Sequence, residues 1–199
     1  MVDEKITAKR FWRGFCHEVN AQISEVQAKW ENQPDFTEFI LKEICDSVLQ
    51  KMNCERQYEY FRIDLIGWNS LKDDKLGDPP KGLKKHFWEL NVAIEHENNR
   101  TDWLDEIVKL SYINCPLRIV IGYAPTKNRQ DYLDYAAKSL GLLNKRYQSV
   151  RKDQEFMLIL GDSYLPGEAV STINYTPYLY DPSEKIFINK NNDWIVMEN

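Results

Sequence analysis

Residues 86–98 read HFWELNVAIEHEN. Aromatic and branched residues run straight into an acid, a histidine and a second acid, and the apolar part predicts a strand. Side chains alternate faces along a strand. Val92 and Ile94 therefore turn toward a core, while Glu95 and Glu97 share the opposite face. His96 turns away from both acids and reads as a packed or capping histidine.

Upstream, YEYFRIDLIGW (58–68) is a second run of strand character, with Asp64 as a lone acid between Ile63 and Leu65. A carboxylate buried in an apolar strand is costly unless something pairs with it. If the two strands are neighbours, Asp64 lies across from Glu95 and Glu97. Three convergent carboxylates repel one another, and a divalent cation with a taste for oxygen ligands, Mg²⁺ or Mn²⁺, relieves that repulsion. The plainer alternatives are a solvated strand end at Glu97 and a pairing of Asp64 with Arg62, Lys84 or Lys85. Downstream, WLDEIVKLSYI (103–113) predicts a helix with Trp103, Ile107 and Leu110 inward and Thr101 as its N-cap. Lys109 on that helix either pairs with Asp105 one turn earlier or reaches back over the strand end.

The rest of the chain surrounds these segments. Residues 8–30 carry Phe11, Phe15, Val19, Ile23, Val26 and Trp30 at helical spacing, broken at Pro34. DFTEFILKEICDSVLQKM (35–52) predicts a second helix, with Asp35 and Glu38 spaced as a capping box and Phe39, Ile40, Ile44, Val48 and Met52 on its inner face. PLRIVIGYA (116–124) and EFMLILGD (155–162) are short apolar strands of the kind buried on both faces. Residues 128–149 predict an amphipathic helix, and EKIFINKNNDWIVME (184–198) a hairpin around its asparagines. The loop after Trp68 carries Lys72, Lys75, Lys81, Lys84 and Lys85 among three aspartates, and Trp68 and Trp88 flank it as core or base-stacking residues. The order of elements predicts a single α/β domain over 1–199 with a mixed sheet.

Composition agrees. Apolar residues make up 43% and charged residues 29% of the 199 positions, as in ordinary globular proteins. The net charge of −5 argues against a protein that merely coats nucleic acid. The four cysteines, Cys16, Cys45, Cys54 and Cys115, have no zinc spacing and read as buried thiols of a reducing cytosol. MVDEKITAKRFW has no signal-peptide core, and no apolar run is long enough to span a membrane.

These residues resemble the restriction-endonuclease-like, or PD-(D/E)xK, nuclease superfamily. The resemblance covers about residues 35–123, with residues 124–199 as a C-terminal strand and hairpin extension and an extra helix before the core. It implies a core of a helix, three strands, a helix and a fourth strand, carried here by 37–50, 58–68, 86–98, 103–113 and 117–123. The first two strands are expected as one long bent segment. The family's first acid matches Asp64, and its acid-x-lysine motif matches Glu95-His96-Glu97. Two departures stand out: Ile63 replaces the proline before the first acid, and Glu97 replaces the lysine, for which Lys109 is the migrated candidate. Glu43 on the first core helix is a weaker candidate.

The resemblance implies a Mg²⁺-dependent nuclease acting on DNA. Asp64, Glu95 and Glu97 would be its metal ligands, and those three with Lys109 its catalytic residues. Cutting both strands would call for a homodimer. Two alternatives remain open: an inactive member that binds nucleic acid or protein, and an unrelated acidic α/β interaction protein.

Overall fold

The computed structural model describes residues 5–30, 32–70, 81, 88–99, 102–147, 150–163 and 173–194. Lys72, Lys75, Lys84, Lys85 and Thr101 lie outside the described residues, and Lys81 is exposed.

Seven strands form one mixed sheet whose spatial order is the chain order. They are β1 (Glu55–Tyr60), β2 (Ile63–Ser70), β3 (Trp88–His96), β4 (Leu117–Ala124), β5 (Glu155–Asp162), β6 (Tyr175–Asp181) and β7 (Ile186–Asn189). β3, β4 and β5 are parallel, and every other neighbouring pair is antiparallel. The parallel centre explains the apolar character there: all eight residues of β4 are buried, Arg118 among them, with a helical layer on each face.

One layer holds α1 (Ala8–Ala21), α2 (Ile23–Lys29), α3 (Gln33–Phe39) and α4 (Asp46–Lys51). Its Phe11, Phe15, Ile40, Ile44 and Leu49 pack with Leu65, Ile94, Ile119 and Ile159 of the sheet. The other holds α5 (Trp103–Ser111) and α6 (Arg129–Tyr147), whose Trp103, Ile107, Leu133 and Leu140 pack with Ile66, Ala93, Val120 and Leu158. Gly122 lets α5 lie close to β4, since a Cβ there would sit 2.8 Å from the Trp103 side chain. A last short helix, α7 (Asn191–Trp194), follows β7.

Several expectations need correction. The first helical run is two helices, broken at Gln22, whose non-helical backbone (φ −122°, ψ 27°) redirects the chain so that Trp30 meets Phe36 and Tyr123. The capping box does not form. Pro34 sits in the first turn of α3, Asn32 is the N-cap position, and Glu38 pairs instead with Lys42 on the surface. Between α3 and α4 the helix is π-wound over Ile40–Cys45, which brings Leu41 and Cys45 inward beside Ile40 and Ile44. The expected inner face, Phe39, Ile40, Ile44, Val48 and Met52, is buried throughout. The asparagines after β7 begin α7 and do not turn a hairpin; the hairpin is β6–β7, turning after Asp181.

The expected single bent strand at 58–68 is a tight hairpin, β1–β2, with Tyr60 paired to Ile63. Its two turn residues, Phe61 and Arg62, are both left-handed (φ 49° and 63°), and Glu59 just before them is as well (φ 53°). Two-residue turns of this hand favour Asn-Gly. Each non-glycine residue held so costs about 1–2 kcal/mol.

Candidate active site

Asp64 opens β2 and Glu95 lies near the end of β3. The register pairs Leu65 with Ile94, so the two acids are neighbours across the antiparallel ladder. Ile66 and Ala93, two positions from each, belong to the core under α5 and α6. Alternation therefore carries both carboxyls to the α5 side. The His96 N–H donates to Asp64 Oδ2 at 2.9 Å, and the Glu95 carboxyl hydrogen-bonds Asp64 directly.

From α5, Lys109 reaches back over the strand end. Its Nζ lies 2.9 Å from Glu95 Oε1, contacts Glu106 Oε2, and donates to the Arg62 carbonyl at 3.0 Å. Neither Glu95 Oε1 nor Glu106 Oε2 has a well-directed hydrogen-bond partner, so both contacts are ion pairs in distance only. The Glu95 side chain is 1% exposed and that of Lys109 is 34% exposed, so the cluster runs from the interior to the surface.

Its electrostatics follow. Among the described residues, Asp64, Glu95 and Glu106 face a single ammonium, that of Lys109, and with all of them ionised this cluster carries two net negative charges. Burial raises the Glu95 carboxyl, the Asp64 charge adds to that, and the group is pushed up to about 9. Burial raises Asp64 too, although the His96 N–H and Lys109 oppose it. Lys109 is itself raised: its partners Glu106 and Glu95 outweigh the burial that would lower it.

Hard oxygen donors, an excess of negative charge and a buried carboxyl oxygen without a directed donor suit a small divalent cation. The residues of the described chain that fit one are Asp64 and Glu95. No group of three or more acid, histidine or cysteine side chains placed to hold an ion occurs among the described residues. Glu97 does not join the pair. Its backbone N–H continues the ladder to Ile121, but its carboxylate bends back to accept the Asn99 N–H at 2.6 Å. Glu43 is exposed, on the helical layer across the sheet.

His96 faces the opposite core, as alternation requires. Nδ1 is 3.2 Å from Thr37 Oγ1, Nε2 is 3.0 Å from the Tyr123 hydroxyl, and that hydroxyl is 3.1 Å from Tyr175. Burial pushes the imidazole down to about 3, so it stays neutral. Gly161 leaves the room Tyr123 needs, since a Cβ there would fall 2.5 Å from its ring. This chain of polar groups fixes the strand end from behind while the carboxyls project in front.

Reading by sequence missed Glu106 as the third carboxyl. Its signal was the i, i+3 spacing to Lys109, which does not tell a buried cluster from a surface pair. Of the two alternatives for Lys109, the structure shows the reach back over the strand end, with Glu106 and not Asp105 as its partner on the helix. No family model, no curated protein and no solved structure matches this chain.

Proposed function

We propose that the chain is a divalent-metal-dependent nuclease of the restriction-endonuclease-like kind, hydrolysing phosphodiester bonds in DNA. The observation that carries this reading is the meeting of Asp64 and Glu95 on adjacent strands beneath Lys109 of the following helix. The path of a helix, three strands, a helix and a parallel fourth strand is consistent with it. Asp64 and Glu95 would hold Mg²⁺ or Mn²⁺. Such an ion polarises a phosphate oxygen and makes a bound water more acidic.

The chain's own groups do the rest. The His96 N–H orients Asp64. Lys109 holds a positive charge at the mouth of the cluster, where it can offset charge growing on a phosphate. Glu95 is the group that gives up a proton when the site takes a cation. Glu97, engaged by Asn99, takes no part. Cutting both strands of a duplex would need two copies of the chain.

A second reading is an inactive member that binds nucleic acid or protein, favoured by the motif lysine's replacement with a glutamate turned back on its own loop. Incubation of labelled duplex and single-stranded DNA with Mg²⁺ or Mn²⁺ separates them. The nuclease reading expects cleavage that Asp64→Asn and Glu95→Gln each reduce at least a hundredfold. Binding without cleavage by the unaltered chain supports the second reading.

A further inference from the structure

The β1–β2 turn presents Phe61 to solvent at 80% exposure, the most exposed of the large apolar side chains among the described residues. The backbone that presents it is left-handed at Glu59, Phe61 and Arg62, none of them glycine. Strain of this kind gathers at functional sites. Phe61 is also the first of a connected row of rings. It meets Tyr60 edge-on with centroids 4.6 Å apart, Tyr60 meets Trp88 at 5.2 Å, and Trp88 meets Trp68 at 6.1 Å. Trp88 is 37% exposed, while Tyr60 and Trp68 are seated against the core under α5 and α6. The inner rings hold the outer ones in place, and the outer ones show an apolar surface to water.

The row begins at the candidate site. Lys109 binds the carbonyl of Arg62, the residue after Phe61, and Asp64 follows two residues later. Phe61 lies next to the site, and along β2 the row leads away from it to Trp68 and Trp88, four and six positions from Asp64 by register, so a strand whose phosphate rested on Asp64, Glu95 and Lys109 could lay its successive bases along these rings. Every base has a π-face, so aromatic platforms accept unpaired bases with little regard to sequence. A paired duplex hides those faces. With a net charge of −5, general attraction to phosphates is a poor source of affinity for this chain.

We propose that Phe61, Tyr60, Trp88 and Trp68 form a stacking platform for unpaired bases beside the cleaved phosphodiester, which makes the substrate single-stranded or locally unpaired nucleic acid. This rests on the nuclease reading for its location and deepens it by naming the substrate class.

The test is binding of the full chain to fluorescent oligo(dT) of about 20 nucleotides, a duplex of the same length, and an abasic strand of the same length. Anisotropy reads each affinity with and without Mg²⁺. Oligo(dT) is expected to bind at least tenfold tighter than the other two. Phe61→Ala and Trp88→Ala should each weaken it roughly tenfold, and Phe61→Trp should restore it. Both positions are exposed, so these variants should keep the wild-type circular dichroism. Equal binding of the abasic strand or the duplex, or wild-type affinity in both alanine variants, overturns the platform. Cleavage that depends on Glu95 in a chain indifferent to Phe61 removes the platform and keeps the nuclease. Ring-dependent binding with no cleavage in either metal removes the nuclease and keeps the platform.

Discussion

Glu95→Gln keeps the shape of the buried carboxyl and removes its charge, so it isolates what ionisation at this position costs. In the fold Glu95 retains its proton up to about 9, against an ordinary value of 4.5. Between those values the unfolded chain has released a proton that the folded chain still holds. Stability therefore falls as pH rises through that window, by roughly 1 kcal/mol per pH unit for one full proton. For a chain of this length that is about 2–4 °C in melting temperature per unit.

His96 acts oppositely, since its depressed value makes stability fall as pH drops below 6.5. The clean range is thus pH 7–9. Lys109 is raised above its ordinary value, so its contribution stays intact there. The buried thiols are common to both proteins and cancel in the difference. Melting of both by circular dichroism should show wild type losing about 4–8 °C relative to Glu95→Gln from pH 7 to 9. Mg²⁺ should reverse the trend by favouring the ionised pair. At ten times its dissociation constant it adds about 1.4 kcal/mol, or roughly 3–6 °C, to wild type and far less to the variant. Parallel curves for the two proteins from pH 7 to 9 would refute the account of Glu95.

Glu97→Ala should keep both the pH slope and the Mg²⁺ effect, losing less than about 1 kcal/mol with the Asn99 hydrogen bond; the same melts check it. Gly161→Ala should cost about 1–3 kcal/mol in urea unfolding, because Tyr123, pinned by His96 and Tyr175, cannot move off a new Cβ. Cys45, Cys54 and Cys115 are buried, and burial raises all four thiols. A disulfide-exchange reagent at pH 8 should therefore react slowly with the native protein and promptly, at four groups, once it is unfolded.

The central strands were legible because buried parallel strands are almost wholly apolar, as 119–124 and 156–161 are, with Arg118 the buried exception. The pairing of Asp64 with Glu95 was legible too, since period-two alternation brings same-face acids on neighbouring strands together. That rule stops where the strand stops. β3 ends at His96, so Glu97 bends into the following turn and leaves the face its spacing predicted. Lys109 is placed by the tertiary path of α5, and spacing along the helix could only set two partners side by side. The β1–β2 turn was illegible for a chemical reason: Phe61 and Arg62 occupy positions normally marked by asparagine and glycine. The π-wound stretch and the break at Gln22 leave no residue signature, because packing decides them.

A sheet whose spatial order repeats its chain order can be assembled by adding each strand to the one just completed. Each strand then needs only a partner already made, the parallel β3–β4 and β4–β5 pairs closing over the crossovers that hold α5 and α6. The first helix is the exception. The Ala8 N–H is held by Glu155 at 2.7 Å, and Phe15 rests edge-on against Tyr175 at 5.1 Å. During synthesis α1 emerges before every strand, and these two partners follow much later on β5 and β6. Its apolar face can meet α4 as soon as that helix forms, with Val48 against Gly14, while its docking on the sheet waits for β5 and β6.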